Sequence, residues 1–256
     1  MNEALVTVWT GPDVLGVHKP PGLPCFRPHS DPDGDCVLAR LLEEWPELAD
    51  HTWPLGFDAG IAHRLDISTS GLLLVARSPA ALLALRSRFS ERRLDKTYLF
   101  LTSRDVPWDR NACGRPIAHA RRRKGRVVVQ RGNNTPHRGR WRDAETHFER
   151  VGPVDGGLWL WRATMRTGVM HQIRVHSAFV GLALAGDRVY GGGELALARP
   201  DGVDFALHHV GLEGDDLHPT KVPPPAWWPE LLPQDDPDLR DPSPRPARSR
   251  RRRRRG

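Results

Sequence analysis

Cysteine is scarce in this chain of 256 residues: there are three, Cys25, Cys36 and Cys113, and no two of them form a CxxC pair. An odd, scattered set supports neither a disulfide framework nor a zinc site. It suits a reducing compartment, so a cytoplasmic protein with no bound metal is expected. Long hydrophobic runs are missing as well. Nothing approaches the roughly 20 apolar residues of a membrane span, so no membrane partner is expected. Met1-Asn2-Glu3-Ala4 has no basic segment leading into an apolar core, and no secretory leader is expected. Tyrosine is rarer still, with Tyr98 and Tyr190 alone.

Negative charge is missing in two places. Residues 241–256 carry eight arginines against one aspartate, which is the whole net charge of +7. The first 240 residues are therefore neutral overall, which argues against a protein whose main activity is general nucleic-acid binding. Within them, no carboxylate occurs between 121 and 142, where Arg121, Arg122, Arg123, Lys124, Arg126, Arg131, Arg138, Arg140 and Arg142 stand. Such a stretch is not expected to be a packed element. It reads as a loop or β-arm that meets a polyanion, the plainer alternative being a solvated hairpin. From about residue 234 the composition turns to Pro, Asp and then Arg, ending in Arg250 to Arg255. That predicts a disordered basic tail over 234–256 and one folded unit over 1–233. No internal repeats are visible.

The rest alternates short strands and helices. Residues 5–9 and 14–18 read as strands around the turn Thr10-Gly11-Pro12-Asp13. Val37 to Trp45 reads as a helix stopped by Pro46, and Gly71 to Ala76 as a buried strand. Ser78-Pro79 supplies an N-cap and a proline at the first helical position, opening a helix that runs to about Ser90. Thr97 to Leu101, Leu158 to Met165 and Phe205 to Leu212 read as strands, and a helix follows Gly168. The pattern is α+β, mixed and mostly antiparallel.

The chemistry concentrates in His63-Arg64-Leu65-Asp66-Ile67-Ser68-Thr69-Ser70-Gly71. One carboxylate, Asp66, stands between a cation and a Ser/Thr/Gly turn, and an apolar strand follows at once. A carboxylate there can be held at the edge of a sheet and still face a cleft. Taken alone, an Asp-x-x-Thr-Ser-Gly is a surface turn capped by its aspartate. The full string, however, resembles the HRLDxxTSG signature of the RluA-like family of RNA pseudouridine synthases. Lys19-Pro20-Pro21-Gly22-Leu23-Pro24 resembles that family's KPxGxP turn, and Lys96-Thr97-Tyr98 its KxY motif. Thr167 to His176 resembles TGRxHQIRVH, and Gly186-Asp187-Arg188-Val189-Tyr190-Gly191 resembles GDxxYG. The motifs keep the family's order and cover roughly residues 5 to 228. Val169-Met170 departs from the family's usual Arg-Thr, at positions that shape the substrate pocket or a helix start.

The resemblance implies the pseudouridine synthase fold, a long bent sheet with flanking helices and a central RNA-binding cleft. It implies an isomerase that acts on uridine in ribosomal or transfer RNA, as a monomer and with no cofactor. The reaction breaks the N-glycosidic bond, turns the uracil and rejoins it through carbon. Asp66 is the catalytic carboxylate by this match, acting on the ribose or on the ring. A carboxylate enclosed beside a base tends to take up a proton, which a nearby cation opposes. Arg174, matching the Arg of HQIRVH, is expected to hold Asp66 bidentately. Tyr98 is expected to stack on the uracil, with its hydroxyl near the proton that must leave. On its own a strand tyrosine is more often a core residue.

Taking a base out of folded RNA leaves a space, which Arg64 is placed to fill. His63, Lys19, Lys96 and the Arg121-Arg122-Arg123-Lys124 run complete the expected substrate contacts. His63 is read as packing or bonding locally, and Lys19 as serving its turn or a phosphate. His171, His176, His208 and His209 do not have the HExxH spacing of a zinc site and read as structural or RNA-contacting. Trp108 and Trp141 flank the basic stretch and can each stack on bases or pack its root. The competing reading is a non-catalytic RNA-binding or ribosome-assembly protein that keeps the fold. Such a protein has no reason to keep Asp66, Tyr98 and Arg174 together.

Overall fold

The computed structural model describes residues 5–214, 217 and 220–228, so the expected basic tail lies outside the described residues. Strands Val6–Thr10 (β1) and Val14–Lys19 (β2) pair antiparallel around the expected Gly-Pro-Asp turn. Helix Val37–Glu44 (α1) stops one residue before the expected Trp45, and its N-cap is Cys36, whose sulfur accepts from Ala39 N–H at 3.4 Å. Strand Ser70–Ala76 (β3) is buried at all seven positions. This explains its unbroken apolar run: a strand covered on both faces has no polar side to alternate with. Helix Pro79–Ser90 (α2) begins on its Ser78 cap as expected, with Ser78 Oγ accepting from Ala81 N–H at 3.2 Å.

The middle of the chain supplies Asp95–Thr102 (β4), Arg110–Cys113 (β5), Ile117–Ala120 (β6), Val127–Val129 (β7), His137–Arg142 (β8), Thr146–Val154 (β9) and Leu158–Met165 (β10). Helix Gln172–Phe179 (α3) and strands Leu207–Glu213 (β11) and Thr220–Lys221 (β12) follow. The main sheet runs β1-β2-β3-β11-β4-β10-β9-β5, with β12 on β11. Its neighbours are antiparallel except β3 and β11, which run parallel. At that join a Cβ on Gly71 (φ +120) would meet the His209 carbonyl oxygen at 2.2 Å, so only glycine lets the strand after the Asp66 loop approach β11. Alternation along β4 divides the core between the faces. Tyr98 and Phe100 join Leu15, Val17 and Trp161, whereas Leu99 and Leu101 join Leu160 and Trp228. Leu82 and Leu85 of α2 cover Leu72 and Leu74 of β3. No helix among the described residues is long and apolar enough to cross a membrane.

The basic stretch corrects one expectation. It is not merely an unpacked loop or arm: β7, β6 and β8 form a separate three-stranded sheet. Ile117, Val127 and Val129 are buried there, with Ala144 and with Val175 of α3. Val127 and Val129, two apart, turn to one face of their strand, while Arg121 to Lys124 occupy the exposed turn before it. Cationic turn and apolar strand thus coexist within a few residues.

Three enclosed histidines give the fold an acid sensitivity. Burial, with smaller help from neighbouring charges, lowers His18 and His209 from 6.5 to about 4 and His208 to about 3. In the unfolded chain these rings take up protons as pH falls through 6.5; in the folded protein they do so only near 3 to 4. Proton uptake therefore favours the unfolded state across that window. Stability is fully present above 6.5 and declines as pH falls toward 4. Each pKa unit corresponds to about 1.4 kcal/mol, so thermal melts should show a marked drop in Tm between pH 7 and pH 4.5. A flat Tm across that range would contradict the neutral, buried state of these rings.

Candidate active site

Asp66 lies in the loop before β3, and the chain pins that loop from several sides. Its carbonyl accepts from Thr69 N–H at 3.1 Å, and the next carbonyl, Ile67, accepts from Gly22 N–H at 2.9 Å. Lys19, fully buried, donates to the carbonyls of Leu23 at 2.7 Å, Pro20 at 2.9 Å and Ile67 at 3.0 Å. Burial lowers its ammonium to about 8 against the pull of Cys25 and Asp66. Of the two roles expected for Lys19, its contacts are those of the turn; no part of its ammonium is left exposed for a phosphate.

The Asp66 carboxylate is 29% exposed, and its Oδ2 sits 3.1 Å from an Arg174 terminal nitrogen. Arg174 is expected to grip Asp66 bidentately, and here the structure differs. The bidentate partner is Asp187, with Nε to Oδ2 at 2.6 Å and the second terminal nitrogen to Oδ1 at 3.0 Å. Asp187 is 1% exposed. It also accepts from Val189 N–H at 3.1 Å and Tyr190 N–H at 3.3 Å. The guanidinium lies 4.3 Å from the Phe205 ring and 5.2 Å from that of Tyr190. Burial works against its charge, but Asp187 and then Asp66 raise its pKa above the ordinary arginine value. Arg174 is thus fixed by Asp187 and presents its remaining nitrogen to Asp66.

His171 adds a further contact. It caps α3 in the left-handed region (φ 55°, ψ 21°), uncommon for a residue with a Cβ and typical of functional sites. Its Nδ1 is 2.9 Å from the Tyr190 hydroxyl and its Nε2 is 3.8 Å from Asp66 Oδ2. The Tyr190 hydroxyl accepts from Val127 N–H at 3.1 Å. The simplest proton placement has that hydroxyl donate to Nδ1, which leaves the ring proton on Nε2, toward Asp66. Burial lowers the His171 pKa, with Arg174 helping and the Asp66 and Asp187 charges opposing.

Tyr98 on β4 is 6% exposed, and its ring stacks on His209 at 4.4 Å and 23°. Burial and then the nearby Asp66 charge push its hydroxyl well above the ordinary phenol value, so it stays a phenol. His63 accepts from Leu74 N–H at 3.1 Å, and burial holds its pKa well below 6.5. It bonds to β3, which is the local role expected of it. Lys96 is 8% exposed, donates to the Thr167 carbonyl at 3.1 Å and is lowered to about 8 by burial. Its ammonium belongs to the β4–Thr167 join rather than to an open surface. Arg64 is exposed, 5.6 Å over the Phe26 ring. Arg121, Arg122, Arg123 and Lys124 are exposed on the β6–β7 turn.

The remaining histidines bond within the fold. His208 bridges Ser70 Oγ and the Val222 carbonyl, both at 2.9 Å, and His209 meets the Leu72 carbonyl at 2.6 Å. His176 bridges Thr146 Oγ1 and the Arg115 carbonyl, both at 2.9 Å. Trp108 packs on core Trp161 at 5.1 Å. Three members of the site, Asp187, His171 and Tyr190, carry no catalytic expectation from the sequence alone. Two of them lie in the quoted Gly186–Gly191 motif, which was the available signal.

Residues 13–179 match the family described as RNA pseudouridylate synthase. A ribosomal large subunit pseudouridine synthase D of Xanthomonas campestris pv. campestris is 34% identical over 202 residues, covering 76% of this chain and 53% of the relative. The Yersinia pestis protein of the same name is 32% identical over 189 residues, covering 72% and 52%. The chain spans about half the length of these curated relatives. Among solved structures, human RNA pseudouridylate synthase domain containing 1 superposes with a TM-score of 0.65 at 24% identity, covering 87% of this chain and 84% of that one. Human RNA pseudouridylate synthase domain containing 4 gives 0.63 at 20% identity, covering 87% and 89%. The fold is the one these domains share.

Proposed function

This chain belongs to the RNA pseudouridylate synthase family, and from that premise we propose that it isomerises uridine in RNA to pseudouridine, with Asp66 as the catalytic carboxylate. The observation that carries the reading is Arg174, held by Asp187 and offering one nitrogen to a partly exposed Asp66. A structural ion pair would need one carboxylate. This guanidinium serves two, and the second is the one open to a substrate.

The reaction moves no electrons to or from an outside acceptor. The N1–C1′ bond breaks, the uracil turns, a C5–C1′ bond forms, C5 loses its proton and N1 gains one. Asp66 acts at C1′ or on the ring; either role needs a carboxylate aimed at one point, which Arg174 supplies. Tyr98, kept as a phenol, offers a ring face to the uracil and a hydroxyl donor beside Asp66. The named relatives favour ribosomal RNA of the large subunit over transfer RNA. The test is incubation of the full-length protein with transcribed large-subunit rRNA and with tRNA, followed by pseudouridine mapping. New pseudouridine at a defined uridine is the expected result; none in either RNA would overturn the reading in favour of a binding protein.

Tyr98→Phe keeps the ring and its contact with His209 but removes the hydroxyl. RNA affinity should stay within about twofold, while the single-turnover rate falls by about 10²-fold, the low end for loss of a positioned proton-handling group. An unchanged single-turnover rate would reduce Tyr98 to a stacking surface.

A further inference from the structure

The described surface carries a recess beside β8. It is a cavity of about 380 Å³ between the end of α2 and β8, lined by Arg92, by Arg140, Trp141 and Arg142, and by Gly168 and Val169. Two residues beyond Val169 stands His171, whose Nε2 is 3.8 Å from Asp66. Gln172 secures that connection by accepting from Val169 N–H at 3.1 Å. The volume lies within the range of small-ligand sites.

The lining is chemically specific. Three arginines line the cavity with one acidic residue, Asp143, which lies 3.9 Å from Arg92 with both side chains more than half exposed. A pair so exposed contributes little. Arg140 and Arg142 are exposed and form no ion pair among the described residues. Trp141 is half-buried and belongs to none of the apolar clusters among the described residues. Its ring is backed by His137 at 4.3 Å and 36°. Trp108, at the other end of the basic stretch, is committed to the core. The two tryptophans therefore differ: one packs in the core of the main sheet, and the other is a half-buried indole beside exposed cations.

We infer that this cavity takes one nucleotide of the RNA strand flanking the target uridine, its base stacked on Trp141 and its phosphates met by Arg140 and Arg142. The inference rests on the isomerase reading for the presence of that strand. An aromatic face beside cations suits single-stranded nucleic acid of any sequence, since every base has a π-face. An acidic peptide would satisfy the guanidiniums and leave the indole unused.

The probe is fluorescein-labelled octauridylate, titrated by anisotropy with the full-length protein at several salt concentrations. Trp141→Ala should weaken binding by about tenfold, as loss of one base stack does, with the salt slope unchanged. Trp141→Phe, which keeps an aromatic face, should stay within about threefold. Arg140→Ala and Arg142→Ala should each flatten the slope of log affinity against log salt by about 0.7. Should Trp141→Ala alter the circular dichroism spectrum, Trp141→Phe and Arg142→Ala carry the decision. Equal octauridylate affinity of wild type and Trp141→Ala overturns the proposal, as does displacement by an acidic octapeptide whose own affinity does not depend on Trp141. The two readings fail separately. Trp141-dependent binding without pseudouridine in any RNA would overturn the isomerase reading alone; pseudouridine formation with Trp141-independent binding would overturn this one alone.

Discussion

Asp66→Asn is expected to abolish isomerisation, by about four orders of magnitude or more, while folding and RNA affinity stay near those of wild type. The size of the effect follows from removing the group proposed to carry the chemistry, in a site whose members are proposed to act together. The selectivity follows from the structure. Asp66 is 29% exposed and shares Arg174 with Asp187, which holds two of its nitrogens. Losing the Asp66 charge therefore leaves no unpaired cation in the interior, and an amide of the same shape can still accept from Arg174. RNA affinity is expected to come from cations elsewhere, the exposed Arg121–Lys124 turn being a candidate. Single-turnover conversion, thermal melting and RNA binding on the same variant check all three parts. Conversion at the wild-type rate would remove Asp66 from the catalytic role, and a collapse in Tm would make it a structural residue.

What the sequence makes legible here follows from how local each cause is. β3 and α2 are visible because their causes lie within a few residues: an unbroken apolar run, and a Ser-Pro start. β5, with the sequence RNAC and three exposed positions, carries no such signal and exists because β9 pairs with it. β9 is equally hidden, since Thr146–Val154 includes Gly152 and Pro153, which break a strand pattern. The site divides in the same way. Asp66, Tyr98 and Arg174 stand in motifs, so their candidacy is visible. That Arg174 would turn its paired nitrogens to Asp187, 13 residues on, and only one to Asp66, 108 residues back, is decided by the packing of α3 against the loop after it. Lys19 and Lys96 illustrate a further limit. Lys19 reads as serving its turn or a phosphate and Lys96 as a substrate contact until burial is known, and both are buried with carbonyl partners.

Arg174 and Asp187 should be coupled in stability as well as in activity. Arg174→Ala is expected to reduce turnover by at least about 10³-fold, since Asp66 loses the group that aims it. It also leaves Asp187, 1% exposed, without its counter-charge. Asp187→Ala leaves the enclosed guanidinium with a single, partly exposed partner. Each single change should therefore cost about 3–5 kcal/mol of stability, the usual consequence of breaking a buried pair by removing one side. The double variant should cost less than the sum of the two, because neither charge is then stranded. Arg174→Lys discriminates further. It keeps the positive charge, but an ammonium is a point donor and cannot span both carboxylates with a planar fork. Turnover should thus stay low in Arg174→Lys even where melting shows a folded protein. Denaturant unfolding of the four proteins in the cycle, with single-turnover rates on the same preparations, provides the check. Strict additivity in stability would mean that the two residues do not act as a pair, and wild-type turnover by Arg174→Lys would mean that charge alone, without geometry, is what Asp66 requires.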